Sequence, residues 1–302
     1  MENYKTPLII DCDPGFDDSI ALILLYKNIE KFDIKLICST SGNTPIEVTT
    51  RNCQFFAKEF FPGVRVAKGL PRPLANDIIA TAENVHGKTG MGNFDPGEQD
   101  YPYDEDSAKA MYEVLMGSEE PITLLTLGPL TNIARLLVAY PDAKDKIKEI
   151  VAMIGSVTGH GNITKKAEFN SYIDPEAFHI VVKSGIHIAF NPIELGEKAR
   201  IPRSKFEKRE PKSITEKMII KMAEGATEIM DPKSLFLYDA NSVVAMLRPD
   251  LYKFTPCSVK VLTENSTYGK CVMVPDPKGL HCYQEIKNIK KLNDYILGQL
   301  FE

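Results

Sequence analysis

Four aspartates lie within eight residues near the N-terminus, in the run Asp11-Cys12-Asp13-Pro14-Gly15-Phe16-Asp17-Asp18. Carboxylates this close repel one another and would partly neutralise unless a positive charge sat among them. A hard divalent cation with oxygen ligands meets that need, and such ligands favour Ca²⁺ or Mg²⁺ over zinc. The Pro14-Gly15 turn lets the backbone fold back so that Asp13 and Asp18 can face one point. The pattern predicts a metal-dependent site.

Helix capping is the alternative interpretation of the same residues. Asp17 and Asp18 begin a predicted helix, Asp17–Lys27, whose dipole favours negative charge in the first turn. Capping accounts for one or two acids but leaves Asp11 and Asp13 unexplained, so the metal site is the favoured interpretation.

The elements that position these aspartates alternate between short apolar runs and longer amphipathic stretches. Strands are predicted at Pro7–Asp11, Ile34–Thr40, Ile122–Thr126, Glu149–Ile154 and Ile186–Asn191, and helices at Asp17–Lys27, Glu47–Phe60 and Leu130–Ala139. This alternation predicts an α/β fold, with a mainly parallel open sheet and helices on both faces in a Rossmann-like arrangement. The loops after the strands then share one edge, where such folds bind ligands.

Two regions depart from the alternation. The segment Ala75–Tyr103 is rich in Gly, Asn, Asp and Pro, and a loop of that length is usually functional or mobile. Near the C-terminus, short strands at Ser258–Leu262 and Cys271–Val274 predict a small antiparallel addition. No internal repeat or linker is evident, so residues 1–302 are predicted to form a single domain.

Composition narrows the class of protein. The net charge is −5 and no basic stripe is present, which argues against a nucleic-acid partner. We interpret the run Arg200–Arg209 as a solvated surface linker. The apolar runs are too short for a membrane span and the N-terminus lacks a signal-peptide pattern. Six scattered cysteines without a CxxC pair fit a reduced, cytoplasmic protein.

The aspartate turn and the Ser19-Ile20-Ala21-Leu22 that follows it resemble the signature of the inosine-uridine-preferring nucleoside hydrolases. Further segments also resemble that family: Ser41-Gly42-Asn43, Val85-His86-Gly87, Gly90-Met91-Gly92, Leu127-Gly128-Pro129-Leu130-Thr131-Asn132, Gly161-Asn162-Ile163-Thr164, Ala167-Glu168-Phe169-Asn170, Asp174-Pro175-Glu176-Ala177 and Tyr238-Asp239-Ala240. The resemblance implies a calcium-dependent hydrolase that splits free ribonucleosides into ribose and base, assembled as a homodimer or homotetramer.

The resemblance also implies a site residue by residue. The Ca²⁺ ligands would be Asp13, Asp18, Asp239 and the backbone carbonyl of Leu127. The ribose 2′-hydroxyl would contact Asp17 and Asn43. The 3′ and 5′ side of ribose would contact Asn162, Glu168 and Asn170. Asp11 would support and orient its neighbours.

Some of these residues have a plainer alternative role. Asn43 could simply stabilise its own turn, and Glu168 and Asn170 could simply form hydrogen bonds with nearby backbone groups. Asp239 could pair with Arg248 or cap a helix.

The implied mechanism has Asp13 as general base, activating a water that attacks an oxocarbenium-like ribosyl centre. Tyr238 stands where many members of the family have the histidine that protonates the base, and a phenol is a weaker acid than imidazolium. Tyr238 could donate a hydrogen bond or stack on the base. His86 is a second base contact or, alternatively, a loop histidine bound to local backbone.

The chain has no tryptophan. Strictly purine-specific members of the family stack the base between tryptophans, so a broad or pyrimidine-leaning specificity is expected. Clustered carboxylates without a P-loop or arginine clamp disfavour nucleotides. Two alternatives remain: a non-catalytic, Ca²⁺-dependent nucleoside- or ribose-binding protein, and a Mg²⁺-dependent phosphatase of the DxD type.

Overall fold

The computed structural model describes residues 4–76, 81–227 and 231–301. Its strands are β1 (Thr6–Cys12), β2 (Phe32–Ser39), β3 (Arg65–Lys68), β4 (Ile122–Thr126), β5 (Ile147–Met153), β6 (Ile188–Asn191), β7 (Ile201–Pro202), β8 (Ser234–Leu235), β9 (Tyr252–Val261), β10 (Cys271–Pro275) and β11 (His281–Ile286). Its helices are α1 (Phe16–Lys27), α2 (Ile46–Glu59), α3 (Glu83–His86), α4 (Ser107–Met116), α5 (Thr131–Ala139), α6 (Phe169–Ile173), α7 (Pro175–Lys183), α8 (Ile193–Lys198), α9 (Ser204–Glu207), α10 (Ile214–Gly225), α11 (Tyr238–Leu247) and α12 (Ile289–Phe301). Each strand and helix predicted from the sequence overlaps one of these elements.

A nine-stranded sheet in the order β10-β9-β11-β6-β5-β4-β1-β2-β3 forms the centre of the molecule. Neighbouring strands from β11 to β3 run parallel, whereas β9 runs antiparallel to both β10 and β11. The predicted parallel sheet and the antiparallel addition near the C-terminus are both confirmed, and they form one sheet. Strands β7 and β8 make a separate antiparallel pair.

Strand β1 lies between β2 and β4. The chain continues outward through β2 and β3 on one side, and through β4, β5 and β6 on the other. In doubly wound sheets, a reversal of strand order leaves a crevice outside the carboxyl ends of the two strands concerned. The aspartate turn begins where β1 ends, so the fold places it at that crevice.

The alternation of side chains along the strands explains why helices cover both faces. In β1, Leu8 and Ile10 pack into one apolar cluster and Ile9 packs into the other. The first cluster includes residues of α1, α2, α10, α11 and α12, and the second includes residues of α4, α5 and α7. The predicted two-sided cover is therefore confirmed.

The irregular regions differ more from the expectations. Within Ala75–Tyr103, residues 77–80 lie outside the described part of the chain, and α3 interrupts the rest. The run Arg200–Arg209 is largely exposed, as predicted, but it is not a linker, because it forms β7 and α9 and buries Ile201 and Phe206 in the core. Apolar residues spaced among the charges anchor this segment.

All six cysteines are buried, and none is in a disulfide. In the described ranges, no helix combines the length and apolar character of a membrane span.

Candidate active site

A cavity of about 380 Å³ opens at the carboxyl ends of β1 and β4. Of the residues predicted from the sequence, it is lined by Asp17, Asn43, His86, Leu127, Asn162, Glu168, Asn170, Tyr238 and Asp239. Asp11, Asp13 and Asp18 are buried next to this lining without forming part of it. The fold thus gathers residues from across the chain around one space.

Three buried carboxylates form the densest acidic group in the site. Oxygens of Asp17, Asp18 and Asp239 all lie within 4.8 Å of one another. Asp17 and Asp18 come from the first turn of α1, and Asp239 comes from the first turn of α11. Asp18 also accepts a hydrogen bond from the backbone N–H of Gly15 at 3.0 Å, so capping and clustering coexist.

The carboxylate of Asp13 is confined by backbone on two sides. The N–H of Asn43 donates to Asp13 Oδ2 at 2.6 Å. A Cβ atom at Gly42 would lie 2.1 Å from Oδ2, and one at Gly128 would lie 2.5 Å from Oδ1. Only glycine fits at these positions, which follow β2 and β4 on either side of β1.

Asn43 joins two of the aspartates. Its Nδ2 group donates to the backbone carbonyl of Asp13 at 3.1 Å and to Asp18 Oδ2 at 3.0 Å. Its role therefore extends beyond a turn.

The alternative pairing of Asp239 with Arg248 is wrong, because Arg248 binds Asp250 at 2.7 Å.

Burial shifts every acid in this group. It raises the pKa of Asp17 to about 7, with a further contribution from the charge of Asp18. Burial also raises the pKa of Asp18, and it raises the pKa of Asp13 well above the ordinary range, helped by the charge of Asp18. The pKa of Asp239 is likewise well above its ordinary range because of burial and the charges of Asp17 and Asp18.

The donor set fits a hard cation. All the acidic ligands are oxygens, and no lysine or arginine is among the described residues that line the cavity. With no cationic side chain there to offset the carboxylates, protons or a divalent cation must do so.

Asp11 lies at the end of β1 and is held by Asn132, which lies in the first turn of α5. Its Oδ1 accepts a hydrogen bond from Asn132 Nδ2 at 2.8 Å, and burial raises its pKa to about 7. The same Nδ2 group donates to the carbonyl of Ser39 at 2.9 Å, while Asn132 Oδ1 accepts from the N–H of Leu70 at 3.1 Å. Asn132 thus ties together the ends of β1 and β2 and the segment after β3.

The predicted 3′ and 5′ side of the site is built around α6. Glu168 caps this helix by accepting hydrogen bonds from the N–H groups of Asn170 and Ser171, and also accepts one from Gly155 at 2.8 Å. Its alternative role in satisfying local backbone is therefore real, although Glu168 also lines the cavity. Burial raises the pKa of Glu168 to about 7. Asn170 Nδ2 donates to the carbonyl of Leu127 at 2.8 Å.

Asn162 lies at the rim of the cavity. Its Oδ1 accepts a hydrogen bond from the N–H of Phe169 at 2.8 Å, so hydrogen bonding to a ligand falls to its NH₂ group. Gly161 lies so close to the carbonyl of Ala167 that a Cβ would be 1.8 Å from it. Two parts of the loop therefore pack tightly against each other just before Asn162.

Aromatic side chains also line the cavity. Tyr238 is the first residue of α11, and its ring stacks on Phe236 with centroids 5.8 Å apart and planes 13° apart. Both residues line the cavity. His86, at the end of α3, also lines the cavity and accepts a hydrogen bond from the backbone N–H of Phe16.

Sequence reasoning missed several residues that shape the site. The glycines Gly42 and Gly128 had a signal, since each lies in a segment that resembles the family, but their packing on Asp13 could not be read from spacing. Arg203 had no signal beyond the basic run. Its guanidinium donates to the carbonyls of Ala223, Ala226 and Pro232, and Ala226 lines the cavity.

Comparison with known proteins agrees with this geometry. The chain is 35% identical over 277 residues to the pyrimidine-specific ribonucleoside hydrolase RihA of Shewanella oneidensis, covering 88% of this chain and 86% of the relative. It is 34% identical over 271 residues to the non-specific ribonucleoside hydrolase RihC of Klebsiella pneumoniae, covering 89% and 88%.

A solved structure, the purine-preferring ribonucleoside hydrolase from Gardnerella vaginalis, superimposes with a TM-score of 0.88 at 24% identity. The alignment covers 97% of this chain and 98% of that one, which shows a common fold. The family model described as inosine-uridine preferring nucleoside hydrolase matches residues 8–295. The chain therefore belongs to the inosine-uridine preferring nucleoside hydrolase family.

Proposed function

We propose that this enzyme hydrolyses the N-glycosidic bond of free ribonucleosides in a calcium-dependent reaction, with a preference for pyrimidines or a broad specificity. The observation that carries the proposal is the mixed lining of one cavity. Buried carboxylates and amides line it together with the aromatic pair Phe236 and Tyr238. Ribose hydroxyls suit the carboxylates and amides, and a planar base suits the aromatic pair.

Asp13, Asp18, Asp239 and the carbonyl of Leu127 would hold the cation. Hard oxygen ligands and their number favour Ca²⁺, which accepts six to eight oxygens in flexible geometry. When bound, the ion supplies positive charge among the carboxylates and lowers the pKa of the attacking water. Asp17 lies in one oxygen cluster with Asp18 and Asp239, and its proposed partner is the ribose 2′-hydroxyl, which Asn43 would also contact.

Asp13 is the proposed general base. Its carboxylate takes a proton from the water as the water oxygen bonds to the anomeric carbon, while the bond to the base nitrogen breaks. Gly42, Gly128 and the N–H of Asn43 hold this carboxylate in place, which favours a pre-organised base over a mobile one. The surrounding carboxylates stabilise the positive charge that develops on the ribosyl ring.

The leaving base meets neutral hydrogen-bond donors rather than a cationic acid. Burial lowers the pKa of His86 to about 4, so its ring is neutral at neutral pH. A departing pyrimidine spreads negative charge onto its C2 carbonyl, which a neutral N–H group can stabilise. A departing purine gains most from protonation of its imidazole ring, which needs a stronger acid. This chemistry supports the pyrimidine-leaning proposal.

The names of the relatives point the same way, since one is pyrimidine-specific and the other is non-specific. Because no lysine or arginine is found in the described lining, free nucleosides are preferred over nucleotides. The DxD phosphatase alternative is abandoned, because the chain belongs to another family. Assembly as a homodimer or homotetramer, a cytoplasmic location and a single domain over 1–302 stay predictions.

A substrate panel tests the proposal. Purified protein is incubated with inosine, adenosine, guanosine, uridine, cytidine, ribothymidine and nicotinamide riboside, and ribose release is measured with and without a chelator. We expect hydrolysis of uridine and cytidine at least as fast as that of inosine. Activity should be lost with chelator and restored by Ca²⁺ more fully than by Mg²⁺. Saturable nucleoside binding without ribose release over hours would instead favour the non-catalytic alternative.

A further inference from the structure

Gly196 lies inside the short helix α8, buried against the ring of Tyr238. A Cβ atom at this position would lie 2.2 Å from Cδ1, 2.7 Å from Cε1 and 2.9 Å from Cγ of that ring. Real Cβ contacts are not this short, so a side chain at 196 requires the ring to move.

The glycine has no conformational reason to be there. Its φ lies outside the left-handed region, and it occupies a helix, where glycine is less favourable than alanine. The space taken by the Tyr238 ring therefore explains the residue better than backbone geometry does.

Helix α8 is held by side-chain hydrogen bonds that oppose its retreat from an added methyl group. Glu194 Oε1 accepts hydrogen bonds from Ser156 Oγ at 2.9 Å and from the N–H and Oγ1 groups of Thr158 at 2.8 Å. Glu197 binds His160 Nε2 at 2.9 Å. These contacts fasten α8 to the loop that carries Asn162.

The direction in which the ring would move follows from what surrounds it. Tyr238 lines the cavity, whereas Gly196 does not. The neighbouring Phe236 ring stacks nearly parallel to Tyr238 and limits movement on that side. A ring displaced from α8 therefore encroaches on the cavity.

We propose that Gly196 is a positioning residue that sets the place of the Tyr238 ring and so determines how large a base the site accepts. This inference rests on the proposed function, since it assumes that the base lies against Phe236 and Tyr238. The pair Gly196 and Tyr238 thus acts as a unit for specificity, with Gly196 acting only through the ring.

A double-substitution cycle tests the coupling. Gly196→Ala is made in the wild-type chain, in Tyr238→Phe and in Tyr238→Ala, and kcat and KM are measured for uridine and inosine. In the first two backgrounds we expect about a tenfold or greater loss of kcat/KM, larger for inosine and mainly through KM. In Tyr238→Ala, which has no ring to displace, Gly196→Ala should change kcat/KM by less than about twofold.

Two further readouts keep the test decisive. Inhibition by free ribose, which lacks the base that would contact Tyr238, should be unchanged in Gly196→Ala. The thermal midpoint, which does not depend on activity, should rise with Gly196→Ala only in the Tyr238→Ala background. Gly298→Ala, in α12 and away from the cavity lining, is the matched control and should leave both kinetic constants unchanged.

Equal losses from Gly196→Ala in all three backgrounds would overturn the inference, as would no loss in the wild-type chain. If the wild-type protein hydrolyses no nucleoside, the proposed function fails. The cycle of thermal midpoints still tests the packing of Gly196 on Tyr238 in that case.

Discussion

The Nδ1 atom of His86 accepts a hydrogen bond from the backbone N–H of Phe16 at 3.1 Å, across 70 residues of sequence. An accepting nitrogen carries no proton, so the neutral ring has its proton on Nε2. Gly15 makes this approach possible, because a Cβ there would lie 2.7 Å from Nδ1. The aspartate turn therefore fixes the tautomer of a cavity-lining histidine as well as the carboxylates.

Substitution of His86 by the two side-chain amides separates its two nitrogens. His86→Asn keeps an acceptor near Nδ1 for Phe16 and removes the Nε2 donor, whereas His86→Gln extends an NH₂ group towards the position of Nε2. We expect His86→Asn to lower kcat/KM for uridine by about 10- to 100-fold, as for a lost hydrogen bond in a buried site, and His86→Gln to lower it less. His86→Asn should unfold at nearly the wild-type temperature, whereas His86→Gln, which leaves the N–H of Phe16 without its acceptor, should unfold at a lower temperature.

The pH profile provides an independent check on this residue. A histidine acting as a cationic acid would make kcat/KM fall as pH rises through its pKa. Because burial lowers the pKa of His86 to about 4, wild-type kcat/KM should show no such fall between pH 6 and 8. An alkaline fall in this range that disappears in His86→Asn would contradict the neutral-donor role.

Asp13→Asn tests the general base with minimal steric change. The amide fits between Gly42 and Gly128, and its carbonyl can still accept from the N–H of Asn43, but it cannot take a proton. We expect kcat to fall by about 10²–10⁴-fold, and Asp13→Ala to abolish turnover while the fold persists. With chelator present the variant should be at least as stable as wild type, because a buried acid has been removed. Near-normal activity would rule out Asp13 as the base.

Much of the fold could be predicted from the sequence because its central strands are buried on both faces. Such strands appear as short apolar runs, and the predicted bounds of the strand at Ile122–Thr126 agree with β4 without change. The strand predicted at Ser258–Leu262 is β9, which begins earlier, at Tyr252, because its first half pairs with β11. A pairing between distant strands leaves no local pattern.

The candidate site could likewise be predicted from the sequence only in part. Asp13, Asp17 and Asp18 lie in one turn, so their clustering follows from local sequence. Asp239 joins them only because α11 packs beside α1, and resemblance to the family was the only signal for it. The contact of Gly196 with Tyr238 had no signal at all, since a helical glycine looks the same whether or not a ring lies against it.

A substitution of Arg203 tests whether its guanidinium supports the backbone that lines the cavity. Its side chain is 16% exposed and donates to three backbone carbonyls, those of Ala223, Ala226 and Pro232. Lysine keeps the charge but cannot reach three acceptors as a planar fork. Arg203→Lys should therefore lower the free energy of unfolding by about 1–3 kcal/mol and raise KM for nucleosides, because Ala226 lines the cavity.

The matched control for Arg203 is Arg209→Lys, in the same basic run. Arg209 lies over the ring of Phe301, 4.4 Å from its centroid, and does not line the cavity. Thermal unfolding and KM for uridine are measured for both variants. Equal increases in KM would show that Arg203 has no special relation to the cavity.

Removal of metal should make stability depend on pH in a defined direction. Burial raises the pKa of Asp11 and of Asp17 to about 7 in the folded protein, whereas an unfolded aspartate titrates near 3.9. Between about pH 4 and pH 7 the folded state therefore binds more protons than the unfolded state. It follows that the free energy of unfolding in chelator falls as pH rises across this window and levels off above it.

Asp11→Asn isolates one contribution to that slope. Asp11 Oδ1 accepts from Asn132, while Oδ2 is buried without a hydrogen-bond partner among the described residues, so an amide can replace the carboxyl without losing the acceptor. In chelator, the gap in thermal midpoint between variant and wild type should be small at pH 5, near the start of this window, because the folded acid is still protonated there and only the unfolded acid is ionised. At pH 8 the variant should be more stable, by on the order of 1–4 kcal/mol. Saturating Ca²⁺ should raise the wild-type midpoint most at pH 8, since protons no longer compete for the carboxylates. A midpoint in chelator that rises from pH 5 to pH 8 would show that these carboxylates are not held above their ordinary pKa.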